Sequence, residues 1–181
     1  MDSKRLEQIG ERYGAEELRE QRDDIAFLRV PKERLVDLLQ YLRDVERYSH
    51  LAFFTAVDLI ERDSFRLVYM IHNYESRHDI GVEVDIPRED ASMESIHRLW
   101  AQAATYQREL KEMFGIDFPG SPGVDDSFIL EGWDDIPPMR RDFDTKAYSE
   151  ATYVERPGRY TVDTREHMKQ ELYPEPEGEG A

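Results

Sequence analysis

Hydrophobic and polar residues alternate along several stretches in the first half of the chain, which is the pattern of half-buried β-strands. This alternation predicts strands over Phe65–Ile71 and Val82–Ile86. A content rich in β-forming and aromatic residues predicts another over Leu51–Ile60, and Ile25–Val30 is expected to form a shorter one. The polar stretch Asn73–Asp79 is expected to form a turn between two of them. Because the connections between these strands are short, antiparallel pairing is favoured.

Apolar residues recur at helical spacing in two other stretches, which predicts two amphipathic helices. The first opens at Pro31, because the N–H that proline lacks has no partner in the first helical turn. Its apolar positions are Leu35, Val36, Leu38, Leu39, Leu42 and Val45. The second is expected to be capped by Ser92 and to end at Gly115. Its apolar positions are Ile96, Leu99, Trp100, Ala103, Leu110, Met113 and Phe114.

The N-terminal segment, residues 1–22, is strongly charged and helix-like. Its apolar residues Ile9, Tyr13 and Leu18 are too sparse for a deeply buried face. A helix on the surface of the protein is therefore predicted here.

The rest of the chain divides into three parts of different character. Residues 23–115 carry the predicted strands and helices, which indicates an α+β domain with helices packed on one face of a mainly antiparallel sheet. Prolines and glycines interrupt residues 116–147, which are predicted to form an extended segment that docks on a partner. Residues 148–181 are a polar tail whose acidic end is expected to be disordered.

The composition excludes several classes of protein. A formal net charge of −16, from 40 acidic and 24 basic residues, argues against nucleic-acid binding and against direct adhesion to an anionic membrane. The absence of cysteine excludes thiolate catalysis and Cys-ligated zinc or iron–sulfur clusters. No secretory signal is visible, and no run approaches the roughly 18 apolar residues of a membrane span. If the protein works at a membrane, we expect a partner to hold it there.

The histidines offer one candidate metal site. His72 and His78 flank Glu75 and Asp79, and imidazole with carboxylate is a common ligand set. The simpler interpretation is a solvated hairpin tip, and this one is favoured. The remaining histidines are His50, His97 and His167.

Two further groups are candidates for catalysis or binding. Asp58, Glu61 and Asp63 could do acid–base chemistry if one of them were desolvated, although surface charges at a turn are the simpler interpretation. Gly120–Gly123 is not a phosphate loop, because no Lys-Ser/Thr pair follows it. Ser121 has no nucleophile-elbow context.

Charged residues near the end of the second helix suggest a protein interface. Arg108 and Glu112 are spaced to pair on one helix face. Arg140, Arg141 and Asp142 follow a stiff Pro-Pro pair. Because arginine makes planar, bidentate ion pairs, this arrangement favours a charge-paired protein interface over a solvated loop.

The stretch Tyr106–Ile116 resembles the signature of the 30 kDa (C) subunit family of NADH:quinone oxidoreductase, respiratory complex I. In that family a Glu-Arg-Glu triplet precedes an Asp-Met-Phe/Tyr-Gly-Ile turn. The matching residues here are Arg108, Glu109, Met113, Phe114, Gly115 and Ile116. Gln107 stands where the family has Glu, and Glu112 stands where it has Asp.

Two motifs further along the chain extend the resemblance. The family's Phe-x-Gly-His-Pro is similar to Phe118–Pro122, except that Ser121 stands for His. Its closing Pro-Leu-Arg-Lys-Asp-Phe is similar to Pro138–Phe143. Ser121 and the longer acidic turn Gly123–Ser127 resemble the divergent counterparts in ferredoxin-linked, membrane-bound [NiFe]-hydrogenases.

The resemblance implies a non-catalytic subunit with no catalytic, cofactor-binding or metal-binding residue of its own. Iron–sulfur clusters, and a [NiFe] centre or a quinone, would be held by partner subunits. The implied partners are the hydrogenase-large-subunit-like protein (the D subunit), iron–sulfur subunits and membrane-arm subunits, which would hold this chain peripherally at the cytoplasmic face of the membrane. The family signature implies an interface of Arg108, Glu109, Glu112, Met113, Phe114, Gly115, Gly120, Pro122, Pro138, Arg140, Arg141, Asp142 and Phe143.

Alternatives of other classes stay open at this point. One is a free-standing acidic enzyme that uses Asp58, or His72 and His78 with a metal. Another is a soluble binding module with no link to a membrane. The electron donor and acceptor, whether NADH, ferredoxin, hydrogen or quinone, do not follow from the residues.

Overall fold

The computed structural model describes residues 3–153. Its helices are α1 (Ser3–Tyr13), α2 (Leu35–Asp44), α3 (Ala103–Phe114) and α4 (Thr145–Thr152). Its strands are β1 (Glu17–Arg22), β2 (Ile25–Arg29), β3 (His50–Leu59), β4 (Ser64–Asn73) and β5 (His78–Pro87). The chain divides into two compact units, Met1–Phe143 and Asp144–Ala181, so that all strands and α1 to α3 lie in the first.

The strands form one sheet in the order β1-β2-β5-β4-β3. All neighbours pair antiparallel except β2 and β5, which run parallel. The prediction of an α+β fold with a mainly antiparallel sheet is therefore confirmed. Each predicted strand is present, with ends that differ by a few residues.

One face of the sheet carries the core. A cross-strand row on this face passes through all five strands and consists of Leu18, Leu28, Val82, Tyr69 and Phe54. The rings of Phe54 and Tyr69 stack with centroids 4.1 Å apart. The apolar sides of α1, α2 and α3 belong to the same buried cluster, through Leu6, Ile9, Leu38, Leu39, Leu42, Ala103, Leu110 and Phe114.

The prediction for residues 1–22 was wrong. Only Ser3–Tyr13 is helical, and residues 17–22 form the edge strand β1. Leu6 and Ile9 are each 2% exposed, so α1 packs into the core rather than lying on the surface. The reason is the spacing of Leu6, Ile9 and Tyr13, which places all three on one helical face.

The start of the second predicted helix was also wrong. The helix begins at Ala103, and residues 91–102 form turns and a bridge. The backbone of Met93 donates to Asp117, and Asp117 donates to Ala91, so this segment pairs with the chain beyond α3. Ser92 sits in that bridge and caps no helix. Gly115 does end α3, in the left-handed conformation with φ 75°.

Two boundaries nearer the ends of elements also differ from expectation. Val45 follows the last residue of α2 and is 57% exposed, so it is not part of the apolar face. Helix α4 crosses the predicted boundary between residues 147 and 148. Asp144 begins it, because its carboxylate accepts the backbone N–H groups of Lys146 and Ala147. The expected disorder at the chain end lies outside the described residues.

Candidate partner interface

Asp58 at the end of β3 is a buried anchor for the extended segment. Its side chain is 3% exposed, and Arg88 binds both of its carboxylate oxygens, at 2.9 and 3.0 Å. The backbone N–H of Arg141 donates to the same carboxylate at 2.9 Å. Because both oxygens of this carboxylate are engaged, the contacts favour a structural role over acid–base chemistry.

Further charges of the closing motif bind around this anchor. Asp142 accepts from Arg88 at 2.9 Å, and this hydrogen bond holds the pKa of the Asp142 carboxyl below its usual range. Arg141 binds Glu61 at 2.6 and 2.7 Å, and this contact lowers the pKa of Glu61. Asp63, the third carboxylate considered for catalysis, lies in the turn before β4 and has a left-handed backbone conformation with φ 50°.

Arg140 connects the closing motif to the end of α3. Its Nε donates to the Phe114 carbonyl at 2.7 Å, and its guanidinium lies 5.3 Å from the Phe65 ring centroid. The backbone of Met139 donates to Met113 at 3.0 Å. A Cβ on Gly115 would lie 3.1 Å from the Arg140 guanidinium. The two signature motifs, far apart in sequence, are thus in contact in the structure.

Glu112 and Arg108 do not pair with each other within the described residues, contrary to the prediction from their spacing. Glu112 instead accepts the backbone N–H groups of Phe128, Ile129 and Leu130, at 2.6, 2.8 and 3.0 Å. The Arg108 guanidinium lies over the Phe128 ring at 5.3 Å. Both side chains therefore fix the tip of residues 123–136, which we call the acidic loop.

Glu109 differs from these neighbours. It is half-buried on α3 and makes no hydrogen bond or ion pair to any residue among 3–153. Burying such a carboxylate against another protein is costly unless that protein supplies a donor or a positive charge. Arg108 likewise makes no ion pair or hydrogen bond among residues 3–153, and its buried Nε has no partner, but its guanidinium lies over the Phe128 ring. Of the signature carboxylates, Glu109 is the one that the described part of the chain leaves unpaired, which makes it a candidate for a contact with another protein.

The remaining signature residues have varied positions. Phe114 is buried against Phe65, with ring centroids 6.0 Å apart. Met113 and Pro138 are half-buried, whereas Gly120 and Pro122 are exposed. The rings of Phe143 and Trp133 pack at an angle of 66°, with centroids 5.5 Å apart. That these residues contact a partner stays a prediction.

Gln107 and Ser121, two of the positions that depart from the family pattern, lie together, which sequence reasoning missed. The Ser121 hydroxyl donates to Gln107 Oε1 at 2.7 Å, and both residues are buried. Ser95 donates to the same oxygen at 2.7 Å. This contact could have been inferred from the sequence, because the family has Glu and His at these two positions and these side chains can carry opposite charges.

The two histidines of the candidate metal site have different partners. His72 Nδ1 binds Asp79 at 2.7 Å, whereas His78 is buried and bonds the Tyr48 hydroxyl at 3.1 Å. Burial lowers the pKa of His78. His97 bonds Ser95, and His167 lies outside the described residues. Across residues 3–153 there is no group of three or more His, Asp or Glu residues arranged to hold a metal.

Comparison with known proteins decides the family. A family model described as "Respiratory-chain NADH dehydrogenase, 30 Kd subunit" matches residues 28–149. The chain belongs to this family. The C subunit of NADH-quinone oxidoreductase from Roseiflexus castenholzii is 35% identical over 116 residues, which cover 62% of this chain and 66% of that protein.

Two further matches extend the comparison. The C/D subunit of NADH-quinone oxidoreductase from Pseudomonas paraeruginosa is 28% identical over 151 residues, or 77% of this chain and 25% of that protein. A chain from the membrane-bound sulfane sulfur reductase, an archaeal respiratory membrane complex, superposes with a TM-score of 0.70 at 26% identity. That match covers 87% of this chain and 98% of the archaeal one. Within residues 3–153 no helix is long and apolar enough to cross a bilayer.

Proposed function

We propose that this chain is a non-catalytic structural subunit in the peripheral arm of a complex-I-like membrane-bound oxidoreductase. In this role it packs against the hydrogenase-large-subunit-like partner, the D subunit. The observation that carries the proposal is the relative named as a C/D subunit, in which the matching region is a quarter of one longer polypeptide. Two proteins joined in one polypeptide stay within reach of each other, which supports the D subunit as the neighbour here.

The geometry of the extended segment supports a docking role. Its closing motif is fixed to the domain through the Asp58–Arg88 pair and Arg140, so the segment enters an interface already ordered. Ordering a segment before binding reduces the entropy lost on association. Glu109 then supplies an unpaired carboxylate on the adjacent helix.

In this proposal the chemistry belongs to the partners. Iron–sulfur clusters, and a [NiFe] centre or a quinone site, lie in other subunits, and this chain holds no cofactor. It supports electron transfer coupled to ion translocation by holding the arm together. Its attachment to the cytoplasmic face of the membrane is indirect, through those partners.

A second candidate is the equivalent protein in a complex other than a quinone reductase, such as a ferredoxin-linked hydrogenase. The archaeal sulfane sulfur reductase favours it, because that match covers 87% of this chain. The presence of Ser121 in place of the family's His gives weaker support for this candidate, because Ser121 contacts Gln107 inside the domain.

The test is affinity purification of the tagged chain from gently solubilised membranes of its own host, with mass spectrometry of the proteins that accompany it. A large hydrogenase-like subunit, iron–sulfur subunits and antiporter-like membrane subunits are expected. The set recovered, with or without NADH-binding subunits, separates the two candidates. Recovery of the chain alone would contradict both.

A variant pair sharpens this test. Glu109→Ala is expected to lower partner recovery while leaving the thermal unfolding midpoint of the purified chain unchanged, because Glu109 has no partner among residues 3–153. Glu7→Ala, an exposed carboxylate on α1, is the matched control and should recover the full complex. Equal recovery with both variants would remove Glu109 from the interface.

A further inference from the structure

The tip of the acidic loop is held in place by α3. Three consecutive backbone N–H groups, of residues 128, 129 and 130, point at the single carboxylate of Glu112. Hydrogen bonds to a charged acceptor are stronger than neutral ones. Arg108 adds a cation–π contact to the Phe128 ring. A loop anchored on both sides in this way keeps its conformation without a partner.

Of the three residues whose backbone binds Glu112, one presents a large apolar side chain to solvent. Phe128 and Leu130 are half-buried against the chain, whereas Ile129 between them is 68% exposed. Energetically dominant contacts at interfaces are often anchors that fill a pocket on the partner. An anchor that is already ordered loses little entropy when it binds.

The loop that carries Ile129 is acidic, although Arg108 and Lys111 of α3 lie beside it. The loop carries Asp125, Asp126, Glu131, Asp134 and Asp135, and no Lys or Arg lies between residues 123 and 138. Lys111 pairs with Asp125, but the other four acidic residues make no ion pair within residues 3–153. A surface that binds this loop must therefore supply positive charge around an apolar centre.

A second copy of the chain and the chain's own residues 154–181 are both unfavourable binding partners for the acidic loop, because each is acidic. A second copy would bring its own acidic loop and a net charge of −16. Residues 154–181 contain more acidic than basic residues, so they repeat the charge of the loop.

We propose that Ile129 inserts into an apolar socket rimmed by Arg or Lys on a partner subunit of the same complex. The acidic loop is the recognition element, and Glu112 and Arg108 are positioning residues that hold it ready. This inference rests on the proposed function, and it names a contact that the family signature does not contain. Basic side chains on the rim would give the contact a dependence on salt.

The first test compares two exposed aliphatic residues in the full-length tagged chain, purified from solubilised membranes of its host. Ile129→Ser is expected to lower partner recovery about tenfold or more, as loss of an anchor does. Val45→Ser, at a residue 57% exposed beyond α2, is the matched control and should not. Circular dichroism and thermal unfolding of both purified chains check that each is folded.

Charge and position are tested separately. The double change Asp126→Asn and Asp134→Asn should flatten the salt dependence of recovery. Glu112→Gln should lower the recovery of partner subunits even though Ile129 itself is unchanged, because the substitution weakens the hydrogen bonds that hold the loop. A photo-reactive amino acid at position 129 identifies the occupant, and a cross-link to an apolar peptide flanked by Lys or Arg in another subunit is the expected result.

The outcomes separate this inference from the proposed function. If the unchanged chain recovers no other subunit, the proposed function fails and this inference fails with it. If the complex is recovered equally with Ile129→Ser and Val45→Ser, the insertion of Ile129 into a partner subunit is contradicted, and the proposed function stands. A cross-link to a second copy, or to residues 154–181, would also contradict this insertion.

Discussion

Gln107 and Ser121 are the two signature positions where this chain departs most from the family, and they form one buried hydrogen bond of 2.7 Å. Glu and His, which the family has at these positions, are a pair that can carry opposite charges. Here the pair is neutral. Because the two side chains bind each other, the two departures are best understood as one exchange of a pair that can be charged for a neutral one.

We therefore expect Gln107→Glu to lower the free energy of unfolding by about 1–3 kcal/mol, because it places a carboxylate in a buried site. The Ser95 and Ser121 hydroxyls moderate the cost by donating to it. Gln107→Glu combined with Ser121→His should recover part of the loss at pH 6, where an imidazole beside a carboxylate is protonated. Urea unfolding measures both variants. A double variant no more stable than Gln107→Glu alone would contradict the pairing.

Asp58 and Glu61 give a second contrast, since both bind Arg141 but only Asp58 is buried. Asp58→Ala leaves the Arg88 guanidinium without its buried partner, which should cost about 3–5 kcal/mol in urea unfolding. Glu61→Ala should leave the midpoint nearly unchanged, because its contact is in solvent. Similar midpoints for the two variants would show that Asp58 is not the anchor.

The residue types at this site were predictable from the sequence, but their partners were not. Asp58 stands out as a carboxylate after an apolar run, and Arg140, Arg141 and Asp142 as candidates for ion pairs. The pairs join residues 30 positions apart for Arg88 and Asp58 and 83 apart for Arg141 and Asp58. Local spacing carries no information about such contacts, which explains why the sequence alone assigns these charges to a partner.

At the scale of elements, four of the five strands of the sheet were predicted, β4 and β5 from the alternation of apolar and polar residues and β3 from its β-forming and aromatic residues. Periodicity failed where a segment pairs across the chain. Residues 91–102 carry buried Ile96 and Trp100 at helical spacing, yet Ser92 is fixed by its bridge to Asp117. The edge strand β1 was missed because five of its six residues are exposed.

On the face of the sheet opposite the core, the absence of a side chain at one glycine lets two neighbouring side chains pack closely. Gly81 in β5 lies between Phe27 of β2 and Met70 of β4, and a Cβ there would be 2.4 Å from the Phe27 ring and 2.9 Å from the Met70 sulfur. Gly81→Ala should cost about 1–3 kcal/mol, as overpacking does. Adding Phe27→Leu should return part of that stability in urea unfolding. No recovery in the double variant would contradict the contact.

At the scale of the whole molecule, the extended segment both stabilises the domain and exposes apolar side chains. It contributes stability to the domain through Arg140 and Arg141, and it exposes Ile129, Ile136 and Met139. A segment that only served the domain would bury these apolar side chains. Their exposure together with the fixed backbone is what an interface element requires.

The division of the chain into two compact units predicts where it can be shortened. Because Met1–Phe143 is one compact unit, the chain truncated after Phe143 should still fold and unfold in one cooperative transition. Truncation after Phe118 removes both the Arg141 and Asp142 contacts at the Asp58–Arg88 pair and the Arg140 cover of Phe65, so its midpoint should fall by several degrees. Differential scanning calorimetry of the full chain and the two truncated chains compares them directly. If the chain that ends at Phe118 unfolds at the temperature of the full chain, the extended segment does not brace the domain, and its contacts serve only assembly.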